Sequence, residues 1–486
     1  MCNNLSGKLY FYAIIYLEKC KFIYSHSFVM TMLTRKIYRR LEEWKDRKHK
    51  PLVISGQRQV GKTFIVREFA RNAYDNLLEL NLAMNPEARE IFEGNISVDT
   101  ILKRISVLFP GHPIKERRTL IFIDEIQESK AAYSSLKYFA DDGRFDVIAS
   151  GSLLGNKMPN IKDDPDGRDP LIPLGYEEIM HMYGLDFEEF LWAKDIPETT
   201  ISELRDCIHR REPIDEVILR SINGLFREFM IVGGMPEAVS SYVETGQFTG
   251  ARAILEELNE GCIRDINRYN SGQDIIKTTE CYDSIPDQLS ESNKKFMYSR
   301  INNEKSRKAA DRYKENLLWI KGAGYGNFCY AAKDLALPLR SKRDQFKIYQ
   351  SDTGMLVSRY GENCIKAIYS GRYDYNLGSI AENAVAEALM KSGYVPRYHS
   401  VQKGEKRMEL DFVIETGDGI CVIEVKSGKE RSAPSISKVP RFYKVARRII
   451  LSEDNIHTDG EGMEHYPLFS ASFFRELEPR WDGPAL

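Results

Sequence analysis

The chain has 486 residues, of which 42% are hydrophobic and 29% are charged, and its formal net charge is −2. This length exceeds one compact core, and the balanced charge excludes a global basic field, so any contact with nucleic acid would need a local patch. The eight cysteines stand singly, without a CxxC pair or a His/Cys cluster, which predicts free thiols in a reducing compartment such as the cytoplasm and argues against zinc.

Residues 1–31 contain an apolar run at residues 9–17, which ends at Glu18. A membrane-spanning helix needs about 20 apolar residues, so the run is too short to cross a bilayer. No small-residue cleavage site follows it, which argues against a signal peptide. We therefore expect an extension that folds poorly, with Met30 or Met32 as the true start, and no association with membranes.

Residues 32–175 alternate short apolar runs with helical stretches. After an amphipathic helix with a charged face, the strand-like runs are PLVIS, NLLELNLA, RTLIFIDE and RFDVIASGS. Strands that alternate with helices in this way predict a parallel sheet covered on both faces.

The remaining residues are organised differently. Residues 176–274 have helical periodicity, and residues 275–345 combine helices with the strand-like runs FCYAAK and QFKIYQ. Residues 346–470 return to an α/β pattern, and residues 471–486 form a tail. This order predicts a helical domain, a winged-helix-like module and a C-terminal α/β domain.

The first strand runs into a motif of the form G-x-x-x-x-G-K-[ST], whose residues are Gly56, Gln57, Arg58, Gln59, Val60, Gly61, Lys62 and Thr63. Its glycines let backbone amides turn toward phosphate oxygens, and the helix that follows adds its positive end. Lys62 would reach the β- and γ-phosphates, and Thr63 would hold Mg²⁺. The motif therefore predicts an ATP·Mg²⁺ site.

A second strand, TLIFIDEIQ, ends in Asp124 and Glu125. Together with the phosphate loop, this pattern predicts that Asp124 holds Mg²⁺ and that Glu125 polarises the attacking water. Ser150, at the end of the adjacent strand, either senses the γ-phosphate or belongs to an ordinary turn. Arg168 is either the arginine that stabilises the transition state or a surface residue in a salt bridge.

With these residues in place, the chain resembles a group of bacterial and archaeal AAA+-like ATPases over residues 32–470. The matching stretches are GQRQVGKT, IDEIQ, SGSLLG, GR at 167–168, PLGYEEIMHMYGLDFEEFLWA, GGMPEAV, DSIPDQLSESNKKFMYS, FKIYQSDTGML and EVKSG. The resemblance implies an extra strand, FDVIAS, between the phosphate-loop strand and the Asp-Glu strand. It also implies assembly of identical subunits around the nucleotide, so that Arg168 would act in trans, and a C-terminal domain without an assigned function.

The stretch LDFVIETGDGICVIEVKSG, residues 410–428, predicts a β-hairpin that turns at residues 416–419. Asp411 on the first strand would lie opposite Glu424 on the second, and Lys426 would share the face of Glu424. Two carboxylates and a lysine suit a hydrolytic site that uses Mg²⁺ or Mn²⁺. The alternative is an exposed hairpin on which Lys426 pairs with Glu424.

This pattern resembles the PD-(D/E)xK nuclease superfamily, in which a preceding helix often adds a glutamate. The helix GSIAENAVAEAL offers Glu382, with Glu387 further round the helix. The resemblance implies a restriction-endonuclease-like domain at residues 346–470. Its catalytic residues would be Glu382, Asp411, Glu424 and Lys426, with Asp411 and Glu424 as metal ligands.

Residues 275–345 also carry a concentration of basic side chains. They are Lys294, Lys295, Arg300, Lys305, Arg307, Lys308, Arg312 and Lys314. Acidic residues are interleaved with them, so the segment is either a winged helix that binds DNA or a solvated helix face.

The sequence therefore predicts an α/β protein with an N-terminal AAA+-like parallel sheet, a helical and winged-helix-like middle, and a restriction-endonuclease-like C-terminal domain. We expect a cytoplasmic ATPase that acts on DNA through the C-terminal domain. The alternative hypothesis is a nucleotide-dependent switch or scaffold for a partner protein, with a C-terminal domain that binds without cutting.

Overall fold

The structure of the protein, a computed structural model, describes residues 33–111, 114–152, 175–291, 294–302, 309–372, 377–428 and 433–477. From Thr34 onward the chain forms one compact unit. The predicted extension at residues 1–31, Arg168 and residues 478–486 of the predicted tail lie outside the described residues. Residues 471–477, the first part of that predicted tail, instead belong to a 3₁₀ helix, Leu468–Leu477, in which Phe473 and Phe474 are buried. Among the helices of these described ranges, none is long and apolar enough to cross a membrane.

The first part of the chain alternates strands and helices. Its elements are α1 (Lys36–Lys45), β1 (Leu52–Ser55), α2 (Lys62–Ala73), β2 (Asn76–Asn81), α3 (Pro86–Glu90), α4 (Val98–Leu108), β3 (Thr119–Asp124), α5 (Lys130–Asp142), β4 (Asp146–Gly151) and β5 (Glu178–His181). The four strands predicted from the apolar runs are present as β1 to β4.

These five strands form a parallel sheet in the order β2-β3-β4-β1-β5. Every residue of β3 is buried, because helices cover both faces of such a sheet. β4 lies between β1 and β3, where the extra strand was expected, and β5 lies past the predicted boundary at residue 175. The carboxyl ends of β1, β3 and β4 meet at one edge, so the loops that follow them can form one site.

Helices dominate the middle of the chain. They are α6 (Phe187–Ala193), α7 (Glu198–Arg210), α8 (Glu216–Val232), α9 (Pro236–Thr245), α10 (Phe248–Tyr269), α11 (Gln273–Ser290), α12 (Ser299–Asn302) and α13 (Ala309–Ala323). Local sequence determines where some of them begin. Asp186 and Glu189 cap α6 reciprocally, and the Asp215 carboxylate accepts the Val217 amide at the start of α8.

The last part of the chain is α/β. Its elements are β6 (Gly326–Ala332), β7 (Ser341–Gln350), α14 (Thr353–Ser358), α15 (Glu362–Ser370), α16 (Gly378–Lys391), β8 (Arg397–Val401), β9 (Met408–Thr416), β10 (Gly419–Val425), α17 (Pro434–Phe442), β11 (Arg447–Ser452), β12 (His457–Thr458) and β13 (Glu464–Pro467). The strands form an eight-stranded mixed sheet in the order β12-β13-β11-β10-β9-β8-β6-β7. β6 and β7, expected in a winged-helix-like module, pair within this sheet, and β7 crosses the predicted boundary at residue 345.

Closely packed glycines connect the segment after β5, the end of α8 and the start of α14. The carbonyl oxygen of Gly234 accepts the Leu185 amide at 2.6 Å, and the Gly234 amide donates to the Asp352 carboxylate at 2.7 Å. A Cβ on Gly354 would lie 2.5 Å from the backbone nitrogen of Gly233. Side chains therefore do not fit here without a shift of the backbone.

We predict that Gly354→Ala lowers the free energy of unfolding by about 2–3 kcal/mol, because the added methyl group meets rigid backbone. Gly224 is the matched control, since it lies within α8 and a Cβ there would have nothing within 4 Å. Gly224→Ala should leave stability unchanged or raise it by up to about 1 kcal/mol. Urea denaturation of both variants measures the difference, and an equal effect of the two substitutions would contradict the packing described.

Candidate functional site

The phosphate loop lies between β1 and α2, at the carboxyl edge of the first sheet. Gly61 has a φ of 94° and Gln59 a φ of 62°, so the chain turns through the left-handed region twice. A Cβ on Gly56 would collide with the carbonyl oxygen of Met182. The two motif positions therefore require glycine for different reasons. Gly61 is needed for its left-handed backbone conformation, and Gly56 is needed because a side chain would collide with Met182.

Lys62 extends back over this loop. Its ammonium donates to the carbonyl oxygens of Gly56 and Gln57, both at 2.8 Å. Only 7% of the residue is exposed, and burial lowers its pKa to about 8, although Glu125 and Asp124 act in the opposite direction. A buried cation held by neutral carbonyls favours an anionic ligand, so the loop fits a phosphate group.

Asp124 brings the other predicted residues together at the end of β3. The Thr63 hydroxyl donates to its carboxylate at 3.1 Å, and the Ser150 hydroxyl donates to the other carboxylate oxygen. The Asn81 side-chain amide also donates to Asp124, at 3.0 Å. A hydroxyl beside a carboxylate supplies the oxygen ligands that Mg²⁺ prefers, so Thr63 and Asp124 fit the predicted metal position.

Glu125 follows Asp124 with a φ of 56°. A left-handed conformation is uncommon for residues other than glycine and is often found where a side chain must be aimed at a functional site. The Gln127 side chain donates a hydrogen bond to the Glu125 carboxylate. Gln127 was not among the predicted site residues, although it belongs to the matching stretch IDEIQ.

Three other loop residues contact protein rather than open solvent. The Ser351 hydroxyl donates to the Gln57 side chain at 3.0 Å, and Arg58 pairs with Asp265 at 2.5 Å. The carbonyl oxygen of Val60 accepts the Arg35 guanidinium at 3.2 Å. The loop is therefore held by Arg35 before α1 and by residues from the C-terminal half of the chain.

A second candidate site lies on the β9–β10 hairpin. Thr416 pairs with Gly419, which confirms the predicted turn, and the ladder continues to Ile423 opposite Phe412, so Glu424 comes beside Asp411. The Val425 amide donates to Asp411 at 2.9 Å.

Burial and mutual repulsion make the charged forms of Asp411 and Glu424 unfavourable. Burial, together with the charge of Glu382, raises the pKa of Asp411, and burial together with the charge of Asp411 raises the pKa of Glu424. The Lys426 ammonium is 3.2 Å from the Glu424 carboxylate, as in the predicted alternative of a simple ion pair. A bound cation would relieve the repulsion between Asp411 and Glu424.

Glu382 lies on α16 and is almost completely buried, but its carboxylate is already satisfied. It accepts from Lys347 at 2.9 Å and also from Lys294 and the Tyr349 hydroxyl. Burial would raise the pKa of Glu382, yet the charges of Lys347 and Lys294 hold it below its usual range. The neighbouring candidate Glu387 faces away, toward Thr353.

Across the part of the chain that the structure describes, no group of three or more His, Cys, Asp or Glu side chains is arranged to hold a metal ion. Asp411 and Glu424 fit a cation as a pair. Glu382 differs from them because two lysines, Lys347 and Lys294, already neutralise its carboxylate, so it has no need of a further cation. Lys347 was missed by the sequence reasoning. The available signal was a lysine inside the apolar run QFKIYQ, where a charge needs a buried partner.

Comparison with known proteins agrees with the first site. Residues 48–191 match the family model described as an AAA domain. Residues 223–363 and 377–468 match two further models, each described as a domain of unknown function (DUF8612 and DUF4143). No curated protein matches the sequence.

Among solved structures, the chain is similar to the Walker-type ATPase PABY2304 of Pyrococcus abyssi, at 14% identity and a TM-score of 0.39, covering 69% of this chain and 96% of that one. It is also similar to the Holliday junction branch migration motor RuvB of Thermotoga maritima, at 12% identity and a TM-score of 0.27, covering 60% and 89%. At such TM-scores neither likeness defines the fold or the function of this chain.

The parallel sheet, the phosphate loop and the matching family model together define a P-loop ATPase domain of the AAA type at residues 48–191. It is followed in the same chain by two domains whose functions are not assigned.

We predict that Glu382→Gln lowers the free energy of unfolding by about 3–5 kcal/mol, because it removes the main counter-charge of a lysine that is itself buried. Glu409→Gln is the matched control, since Glu409 lies 3.9 Å from the same Lys347 ammonium but is 39% exposed. The control should cost less than about 1 kcal/mol. Urea denaturation checks both values, and a Glu382→Gln cost no larger than that of the control would show that the ion pair is not structural.

Proposed function

We propose that the protein binds and hydrolyses ATP with Mg²⁺ and that this cycle controls a nuclease-like C-terminal domain that acts on DNA. The observation that carries the proposal is the buried Lys62 ammonium beside the hydrogen-bonded pair of Thr63 and Asp124. These three groups are what a nucleoside triphosphate with its metal requires at the end of a parallel sheet.

The roles follow from the positions of the side chains. The loop amides and Lys62 bind the β- and γ-phosphates, while Thr63 and Asp124 hold Mg²⁺, which neutralises charge on the phosphate oxygens. Glu125 orients the attacking water, and Ser150 fixes the Asp124 carboxylate. In this proposal, identical subunits assemble around the nucleotide.

At the C-terminal site, Asp411 and Glu424 would hold Mg²⁺ or Mn²⁺, and a bound metal would supply charge to polarise a DNA phosphodiester. The role of Lys426 in this proposal is to orient water. The proposal is supported by the position of two predicted DNA-binding lysines. Lys294 contacts Glu382 of α16, and the Lys295 ammonium is 3.0 Å from the Ser400 hydroxyl of β8, so both side chains contact elements of the C-terminal α/β domain. Lys294 is already paired with Glu382, so in this proposal Lys295 is the lysine of the two that contacts the phosphate backbone.

A second candidate function is a nucleotide-dependent switch that binds a partner protein. In this case the same C-terminal surface would bind the partner and would not cut DNA. The observation that favours it is the neutralisation of Glu382 by Lys347 and Lys294, which leaves two carboxylates where a third was expected. In this case ATP turnover persists and the hairpin only binds.

Lys62→Ala should abolish ATP turnover, because the ammonium is the principal cation facing the phosphates. Phosphate release at saturating ATP and Mg²⁺ measures this. Lys48→Ala, in the exposed turn before β1, is the control and should retain wild-type turnover. Hydrolysis of ATP by Lys62→Ala at the wild-type rate would contradict the proposed ATP site.

For the C-terminal site, we expect purified protein to cleave single-stranded, duplex or branched DNA when Mg²⁺ or Mn²⁺ is present, and Asp411→Ala to abolish cleavage. RNA should be tested in parallel. Asp418→Ala, in the exposed turn of the same hairpin, should have no effect. Absence of cleavage of every substrate, with ATP turnover intact, would favour the switch.

A further inference from the structure

Arg58 is anchored at one side of its guanidinium by groups outside the ATPase domain. Its Nη1 lies 2.5 Å from Asp265 Oδ1, and its Nη2 lies 3.4 Å from the Tyr269 hydroxyl, both on α10. Asp265 is itself buried, and its second oxygen accepts the Tyr325 hydroxyl at 2.6 Å. A carboxylate held in this way cannot follow the arginine, so it fixes where the guanidinium lies.

One donor of the Arg58 guanidinium has no partner in the part of the chain that the structure describes, although a third of the side chain is exposed to solvent. Arg58 Nε is buried and has no hydrogen-bond acceptor among the described atoms. Buried donors are nearly always paired, so an unpaired one in a phosphate loop indicates a missing anionic or polar partner. The five donors of an arginine form a planar fork, which lets one edge stay on a carboxylate while another donor meets a phosphate oxygen.

Electrostatics place this donor within the catalytic field. Burial lowers the pKa of Arg58, but the neighbouring Asp265, Tyr269 and Glu125 together raise it above its usual value, and Arg58 in turn lowers the pKa of Lys62. Arg58 is therefore close enough to interact with both the lysine that would bind the γ-phosphate and the carboxylate that would orient water.

We propose that Arg58 is the arginine that stabilises the transition state of ATP hydrolysis, acting within its own subunit, and that Asp265 is the residue that positions it. This inference rests on the proposed ATP hydrolysis and assigns to Arg58 the role that the sequence offered to Arg168. The positioning carboxylate lies in residues 223–363, outside the ATPase domain, so hydrolysis requires that α10 be docked on the phosphate loop.

The reaction itself is ordinary phosphoryl transfer to water. The water oxygen forms a bond to the γ-phosphorus while the bond to the bridging oxygen breaks, and ADP leaves with that electron pair. The water proton passes to Glu125 and then to solvent, giving ADP, inorganic phosphate and a proton. Negative charge builds on the γ-phosphoryl oxygens during transfer, and this is where a guanidinium accelerates the reaction.

The test measures kcat for ATP and the affinity for ADP in the full chain. Arg58→Ala should lower kcat by about 100-fold or more while ADP affinity changes less than about threefold, because ADP lacks the γ-phosphate. Arg58→Lys should restore little of the lost kcat, since the single ammonium of lysine cannot contact Asp265 and a phosphate oxygen at the same time. Arg67→Ala is the control, because Arg67 lies on the outer face of α2 paired with Glu79, and it should retain kcat.

Asp265→Asn tests whether Asp265 positions Arg58 or only stabilises the fold. It should lower kcat about tenfold in the wild-type background and have no further effect in the Arg58→Ala background, since the carboxylate acts through the arginine. An equal loss in both backgrounds would overturn the positioning role. Turnover by Arg58→Ala within threefold of wild type, or a loss found in Arg168→Ala instead, would overturn the inference. Absence of turnover by the wild-type protein would overturn the proposed hydrolysis itself.

Discussion

Residues 347–353, which run from β7 into α14, satisfy buried polar groups on both sides. At one end Lys347 neutralises Glu382 of the C-terminal site, and toward the other Ser351 donates to Gln57 of the phosphate loop. Buried charges and donors must be paired, so neither contact can be released without a cost. The two candidate sites therefore share one support, residues 347–353.

Helix α16 is fastened to this support along its length. The Gln350 amide donates to Asn383 at 2.8 Å and the Thr353 amide donates to Glu387 at 2.8 Å. At its last turn Lys391 donates to the carbonyl oxygen of Leu185, which follows the first sheet. A helix that presents buried polar side chains at successive turns therefore joins the ATPase domain to the hairpin that carries Asp411.

The sequence was informative wherever the signal was local. The glycines, lysine and threonine of the phosphate loop, the Asp-Glu strand and the β9–β10 hairpin each occupy a short stretch whose residue spacing determines its geometry. The pairs Arg58–Asp265 and Lys347–Glu382 were not predictable in this way, because they join residues distant in sequence through the docking of separate elements. The strands β6 and β7 were predicted from their local sequence, but the sheet that they join was not, because it depends on pairing with strands distant in sequence.

The central claim is that the buried Lys62 ammonium and the Thr63–Asp124 pair form a site for ATP and Mg²⁺. A crystal structure of the full chain with a non-hydrolysable ATP analogue and Mg²⁺ tests it most directly. In that structure, we expect Lys62 to leave the carbonyl oxygens of Gly56 and Gln57 for the β- and γ-phosphates, with the metal beside Thr63 and Asp124. A structure in which Lys62 keeps its carbonyl partners, while the nucleotide binds elsewhere or not at all, would contradict it.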